Sequence, residues 1–249
     1  MTFKTIVNST VSAFGSVAFS FVSDNKIKKA VEALPQGFTV TGHSGCERTP
    51  DNSIEAFEAG YKAGASILEF DLNFDKSGKP VLSHDEPKGE CVTLDEAFAY
   101  FSENDKLKVN VDVKNTKDLK AVLESAKKFG IEERIFYTGI TAKDVEAVKH
   151  QTPEVKYFLN HGVDKAKKCD KIYIESLADK VERLGAVGIN LNYHDCSKEL
   201  VEHFHSRGLQ VSLWTVNNKY AMYKVMMLSP DNITTRFPSD LTNIINNHK

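Results

Sequence analysis

Three carboxylates in this chain stand at spacings that could gather a cation. Glu69 and Asp71 lie two residues apart in ILEFDLNF (67–74), and Asp112 lies in KVNVDVK (108–114). Residues two apart on a strand share a face. Leu68, Phe70, Leu72 and Phe74 therefore form one apolar side, with Glu69, Asp71 and Asn73 on the other. In the second segment Val109, Val111 and Val113 oppose Lys108, Asn110, Asp112 and Lys114. If both polar faces look into one small volume, the three carboxylates repel and some are forced to hold a proton. A hard divalent cation, Mg²⁺ or Ca²⁺, resolves that conflict with oxygen ligands. The alternative for the same residues is a set of separate salt bridges to inward lysines such as Lys114. Two histidines, His43 in TVTGHSG and His84 in PVLSHDEP, end the strands flanking the carboxylate strand, where a general acid and base would be wanted. Of the other histidines, His194 alone is held in reserve. No HExxH or GxSxG motif is present, and the cysteine spacing fits no zinc site.

Something must bring these segments together. From about residue 37 strands alternate with helices of ten or so residues: FTVTGHSG, SILEFDLNF, KPVLSHD, KVNVDVK, RIFYTGI, VKYFLN, GINLNYHD, LQVSLWTVN and NITTRFP, with patterns such as SIEAFEAGYKAG, DLKAVLESAKKFG and KELVEHFHSRG between them. That alternation predicts parallel pairing through right-handed crossovers. Eight principal strands in some 210 residues predict an α/β fold, a (β/α)₈ barrel of the TIM type. Its helices would cover the apolar strand faces, and the polar faces would meet at the mouth. An open doubly wound sheet is the structural alternative, but no GxGxxG or Walker loop follows any strand. We expect a single barrel domain over residues 38–249, preceded by an N-terminal helical extension over 1–37, with no sizeable cap insertion.

Composition narrows the partners. The 249 residues carry a formal net charge of −2 and are 41% hydrophobic. There is thus no electrostatic case for nucleic acid or an anionic membrane surface. No run approaches the roughly 18 apolar residues of a membrane span. The nearest, Ile6 to Val22, is broken by serines, threonine and asparagine, and reads as a helix, a poor export signal or a peripheral lipid contact. Four cysteines without a CxxC pair read as free thiols, which makes the cytoplasm the expected compartment. Oligomeric state is not legible.

GHSGCERTPDNSIEAFEAGYKAGASILEFDLNFDKSGKPVLSHDE resembles the signature of the glycerophosphodiester phosphodiesterases, a family in the phospholipase-C-like phosphodiesterase barrel superfamily. The matching parts are His43-Ser44-Gly45, Pro50-Asp51-Asn52-Ser53, Glu69-x-Asp71 and Gly78-x-Pro80-Val81 running to His84-Asp85, with VNVDVK, LWTVN and NITTRFP following in order. The resemblance implies a phosphoric diester hydrolase that releases glycerol 3-phosphate and an alcohol from a small-molecule phosphodiester, with one divalent cation. By match, Glu69, Asp71 and Asp112 would hold the metal, His43 and His84 would be acid and base, and Lys114 would meet the phosphate. Trp214 and Asn192 would line the mouth.

Four departures qualify this. The Arg after the first His is Ser44, and the third metal ligand is Asp112 rather than Glu. Only EPKGECV separates His84-Asp85 from TLDEAF, and the Asp of the last strand is Arg236. In a closed barrel Arg236 ends beside Ser44, so it is expected to supply the guanidinium that position 44 lost. An open mouth admits bulkier diesters, so a phosphodiesterase directed at lysophospholipid or sphingomyelin is the second reading. A catalytically weak barrel that only binds a phosphorylated ligand is the third.

Overall fold

The computed structural model describes residues 18–249. Its strands are β1 (Thr39–Gly42), β2 (Ile67–Phe74), β3 (Pro80–Leu82), β4 (Lys108–Val113), β5 (Ile135–Ile140), β6 (Tyr157–Asn160), β7 (Gly188–Asn192), β8 (Gln210–Trp214) and β9 (Asn232–Thr235). Eight of them pair parallel in the order β1-β9-β8-β7-β6-β5-β4-β2, and a further β1–β2 pairing closes the ring. The (β/α)₈ barrel is therefore present. β3 is the exception: it pairs antiparallel with the end of β2, Leu72 opposite Leu82, and carries the chain from the second strand to His84.

The helices are α1 (Asp24–Glu32), α2 (Ile54–Lys62), α3 (Leu94–Ser102), α4 (Leu119–Lys128), α5 (Val145–Gln151), α6 (Lys171–Leu184), α7 (Lys198–Ser206), α8 (Lys219–Met226) and α9 (Pro238–His248). Short polar side chains start many of them. Ser53, Thr93, Asp118, Asp170, Ser197 and Asn218 each accept a backbone N–H three residues on. At α3, Glu96 returns a bond to the Thr93 backbone, a reciprocal capping box. α6 begins five residues before the expected SLADKVERLG, because Asp170 caps it early. α9 was not legible from strand–helix alternation; Pro238 opens it, and Leu241, Ile244 and Ile245 bury against the barrel.

The first 17 residues of the expected N-terminal extension over 1–37 fall outside the described residues, as does most of Ile6–Val22. Within them, α1 buries Ile27, Ala30 and Val31 and packs on α8 and α9.

The apolar face of β2 does what its alternation predicts. Leu68, Phe70 and Leu72 are fully buried beneath the helices. The Phe70 ring meets Phe57 of α2 at 6.2 Å and Phe98 and Phe101 of α3 at 6.1 and 6.5 Å. Each such ring contributes about 1.5–3 kcal/mol by leaving water. The barrel interior is polar by contrast. Asn232 Nδ2 donates to Thr41 Oγ1 at 2.8 Å, Ser212 Oγ donates to Asn232 Oδ1 at 3.1 Å, and Thr138 Oγ1 donates to Asn110 Oδ1 at 2.8 Å. These interior bonds satisfy groups that would otherwise cost the fold dearly. They also form a rigid floor beneath the mouth.

Candidate active site

At the C-terminal ends of the strands lies a cavity of about 400 Å³, lined by His43, Glu69, Asp71, His84, Asp112, Lys114 and Trp214 among others. Seven residues singled out from sequence thus meet around one volume. The β2–β4 register explains how: Glu69 stands opposite Asn110 and Asp71 opposite Asp112, so the inward faces of the two strands are level.

Each carboxylate has one oxygen held by a neutral donor. Asn110 Nδ2 donates to Glu69 Oε2 at 2.8 Å, Asn52 Nδ2 to Asp71 Oδ2 at 2.8 Å, and the Thr138 hydroxyl, whose one proton goes mainly to Asn110 Oδ1, shares it with Asp112 Oδ1 at 3.2 Å. The other oxygen of each turns to cationic or basic groups. Lys114 Nζ lies 3.0 Å from Asp71 Oδ1 and 2.5 Å from Asp112 Oδ2, and His43 Nε2 lies 3.8 Å from Glu69 Oε1. Burial, then Asp112 and Asp71, push Glu69 well above the usual carboxylate range. Burial also raises Asp112. For Asp71 burial works upward too, but Lys114 and Asn52 together hold it below its ordinary value. Lys114 is raised, because its two carboxylates outweigh the burial that would lower it.

Among the described residues no group of three or more His, Cys, Asp or Glu side chains forms a ready-made metal cage, and the Lys114 ammonium stands between two of the carboxylates. The chemistry of the set nevertheless fits a hard cation. Three neutral donors fix one oxygen on each carboxylate and leave Glu69 Oε1, Asp71 Oδ1 and Asp112 Oδ2 without a neutral partner. Glu69 is raised by burial first and by Asp112 and Asp71 second, and a cation among the three carboxylates would offset that second cause.

His43 follows β1, where its N–H donates to Thr235 O at 3.0 Å across the barrel seam. Its ring is pushed down to about 4, by burial first and then by the Arg236 charge, so it is neutral at neutral pH. Ser44 is 1% exposed, and its hydroxyl lies 3.2 Å from His43 Nδ1, so it is spent on the histidine. His84 is far more open, its side chain 67% exposed, with Nδ1 2.9 Å from Asp85 Oδ1. From Ser83 to Val92 the chain makes only a short connection, and no cap insertion is present.

Asn52 was not legible as a site residue. It sits at φ 59°, the left-handed region that asparagine tolerates, in the turn before α2. From there it both donates to Asp71 Oδ2 and accepts the Asp71 backbone N–H at 2.8 Å. The PDNS turn is its only sequence signal.

Two expectations are corrected. Asn192 does not line the cavity: a 3₁₀ turn begins directly after it, and its Oδ1 accepts the His194 N–H at 3.1 Å. His194, held in reserve, instead stacks on Tyr193 at 3.9 Å. Arg236 reaches the first loop, as barrel closure requires, but it too stays off the cavity lining. Its guanidinium is taken by Asp51 Oδ1 and Oδ2 at 2.7 and 3.1 Å and by Gly45 O at 3.2 Å. That contact holds Asp51 below, and Arg236 above, their ordinary values.

The far wall carries no formal charge on its inward strand residues, and sequence reasoning passed over most of it. Gly139 N and Asn190 Nδ2 both donate to Asn160 Oδ1, at 2.9 and 3.1 Å. Asn190 Oδ1 and Trp214 Nε1 are buried and have no partner. All four residues line the cavity.

The model of the glycerophosphoryl diester phosphodiesterase family matches residues 43–101 and 89–240. A glycerophosphodiester phosphodiesterase of Caldanaerobacter subterraneus subsp. tengcongensis is 24% identical over 245 residues, covering 83% of this chain and 97% of that protein. Among solved structures, a glycerophosphodiester phosphodiesterase from Agrobacterium tumefaciens superposes with a TM-score of 0.67 at 15% identity, covering 83% of this chain and 99% of that one. A phosphodiesterase from Oleispira antarctica, in complex with the product sn-glycerol-3-phosphate, superposes with a TM-score of 0.67 at 16% identity, over 87% and 99% of the two chains.

Proposed function

The chain belongs to the glycerophosphoryl diester phosphodiesterase family, and from that premise we propose that it hydrolyses glycerophosphodiesters with one divalent cation and a His43–His84 proton-transfer pair. One observation carries the reading: three carboxylates, each pinned through one oxygen, leave their remaining oxygens beside two histidines and a lysine in one cavity.

Glu69, Asp71 and Asp112 would hold the cation, Mg²⁺ or Ca²⁺. When bound, it would polarise the phosphoryl oxygens and offset the charge that develops on them. The protein groups supply the rest. Lys114, released from Asp71 and Asp112, offers its ammonium to a phosphate oxygen. His43, neutral at neutral pH, accepts the proton of the attacking water as the new P–O bond forms. His84, oriented through Nδ1 by Asp85, gives a proton from Nε2 to the alcohol oxygen as the old P–O bond breaks. Asn110, Asn52 and Thr138 keep the carboxylates aimed throughout.

Arg236 acts by holding the first loop. Its bonds to Asp51 and Gly45 O, with the Glu47 N–H donating to Arg236 O at 2.7 Å, tie His43 and its neighbours to β9. The short connection after His84 leaves the alcohol side of the mouth uncovered, so diesters with bulky alcohols, lysophospholipids included, fit the same reading.

The test is release of glycerol 3-phosphate from glycerophosphocholine and glycerophosphoethanolamine in EDTA, Mg²⁺ or Ca²⁺, beside Asp71→Asn. Activity that needs the cation and is lost in the variant supports the reading. Cation binding without turnover of either diester, or of a lysophospholipid, overturns it in favour of ligand binding alone. Arg236→Ala with undiminished kcat/KM would remove Arg236 from the account.

A further inference from the structure

The lower end of the barrel, where the strands begin, holds a second hollow. This cavity, of about 660 Å³, is lined by Lys108, Phe136, Lys156, Phe158 and Gln210 among others. Strand parity explains why the end stays open. Two residues before the inward Asn110, Thr138, Asn160, Asn190 and Ser212 stand Lys108, Phe136, Phe158, Gly188 and Gln210, the lowest inward layer. Gly188 pairs level with Phe158 on one side and with Gln210 on the other, and adds no side chain between them. The exposed Lys108 and Gln210 stand where bulky branched residues would fill a barrel interior. Asn110 forms part of the partition between the two hollows: it lines the lower one and donates to Glu69 of the mouth.

Its walls carry two kinds of surface. The Phe136 and Phe158 rings meet edge to face at 5.7 Å, and Ile135, Val187 and Leu209 add further apolar lining. Lys108 and Lys156 are exposed, and among the described residues neither ammonium has an ion-pair or hydrogen-bond partner. Lys108 opens β4 and Lys156 directly precedes β6, with β5 between them. Their backbones are therefore about 10 Å apart at the usual strand spacing, a span that two long, flexible stems can close. Most other charges there are spent. Arg134 donates to Asn104 O at 2.8 Å, Leu107 O at 3.0 Å and Phe101 O at 2.9 Å. The Asp231 carboxylate accepts the Val211 N–H at 2.7 Å and faces His205 at 2.9 Å. Glu133 lines the cavity exposed and unpaired, so two free ammoniums stand against one free carboxylate.

A bare inorganic anion would leave the phenyl rings to water, and a neutral apolar molecule would leave both ammoniums without a counter-charge. A cation would meet net repulsion. A molecule with an acidic group at one end of an apolar body satisfies both surfaces, in the usual pattern of an apolar pocket with a few polar groups that fix orientation. We propose that the N-terminal end of the barrel binds an amphipathic organic anion, its apolar body against Phe136 and Phe158 and its acidic group at the Lys108–Lys156 rim. This site is separate from the mouth, and its assignment does not rest on the hydrolase reading.

The test uses the intact protein and three probes: decanoate, decyltrimethylammonium, and anilinonaphthalene sulfonate, an aromatic anion whose emission rises as it leaves water. Calorimetry should show decanoate binding wild type at least about ten-fold more tightly than decyltrimethylammonium, which has a tail of the same length and the opposite charge. Anilinonaphthalene sulfonate should brighten on binding, and decanoate should displace it. Glycerol 3-phosphate, an anion without an apolar body, should displace neither. Lys108→Glu combined with Lys156→Glu reverses the rim and should weaken both amphipathic anions about ten-fold or more. Both lysines are exposed and unpaired, so the double variant keeps the fold, and thermal unfolding verifies it. Four results would each overturn the site: no binding of either anion, equal affinity for decanoate and decyltrimethylammonium, displacement by glycerol 3-phosphate, or undiminished binding in the double variant.

Discussion

Lys114→Met tests whether Glu69 Oε1, Asp71 Oδ1 and Asp112 Oδ2 form a cation site. Methionine keeps an apolar stem of comparable reach but removes the ammonium that lies 3.0 Å from Asp71 Oδ1 and 2.5 Å from Asp112 Oδ2. Removing one partner of a buried ion pair costs about 3–5 kcal/mol. Asp112 is already raised by burial and can take up a proton, which relieves part of the charge, so the lower figure of about 3 kcal/mol applies. In a chain of this size 1 kcal/mol moves Tm by roughly 2–4 °C, so the metal-free variant should melt roughly 6–12 °C below wild type. A cation at about a hundred times its Kd returns about 2.7 kcal/mol, most of that loss. It should stabilise the variant more than wild type, where Lys114 competes for the same oxygens. The assay is thermal unfolding at neutral pH in EDTA, Mg²⁺ or Ca²⁺. Hydrolysis should stay about a hundred-fold or more below wild type even when the cation has restored Tm, because the ammonium that Lys114 offers to a second phosphate oxygen is gone. A cation that stabilises Lys114→Met no more than wild type would refute the argument.

Three further outcomes follow from the same geometry. His43, pushed down to about 4 in the fold against an ordinary value of 6.5, stays neutral where the unfolded chain takes a proton. Its contribution to stability is therefore full above pH 6.5 and is lost as pH falls toward 4. His43→Asn should flatten that part of the Tm–pH curve, and an identical slope in both proteins would count against burial as the cause. Asn52→Ala loses two bonds to Asp71 and strains a left-handed position, for a combined cost of about 2–4 kcal/mol in urea unfolding. Asn52→Gly should cost less by the backbone part, and equal losses would show that no such part exists. Burial pushes the Cys46 and Cys196 thiols up to about 12, so in native protein both should resist a disulfide reagent that labels exposed Cys169; rapid labelling of Cys46 would mean that the first loop opens.

The parts legible in sequence were those written in period two. Glu69 and Asp71 against Leu68, Phe70 and Leu72 declared an inside and an outside, and once the barrel closes the carboxylates must converge. Residues whose role depends on a partner far along the chain left weaker marks. Asn52 is an ordinary turn asparagine until Asp71 lies across from it. Thr138 and Asn160 look like commonplace strand polar residues, and only the β4–β5 and β6–β7 pairings reveal what they hold. Asn192 had the right parity, but parity says nothing about where a strand stops, and the turn over 193–195 takes its side chain. Arg236 was correctly placed beside the first loop by the logic of closure. Its bond to Asp51 was not legible, because two side chains 185 residues apart carry no common pattern.

The seam between β1 and β9 has a bearing on biosynthesis. It joins Thr39 to Asn232, 193 positions apart, and the backbone of His43 is held by Thr235. A nascent chain stopped before β9 would already contain both histidines, all three carboxylates and Lys114, yet its first strand would lack one of its two neighbours. Pairing over such a distance is slow to form and cannot begin until the ribosome has released the last strand. All the residues of the candidate site are thus synthesised before the strand that closes the ring, and they reach the arrangement described above only when it shuts.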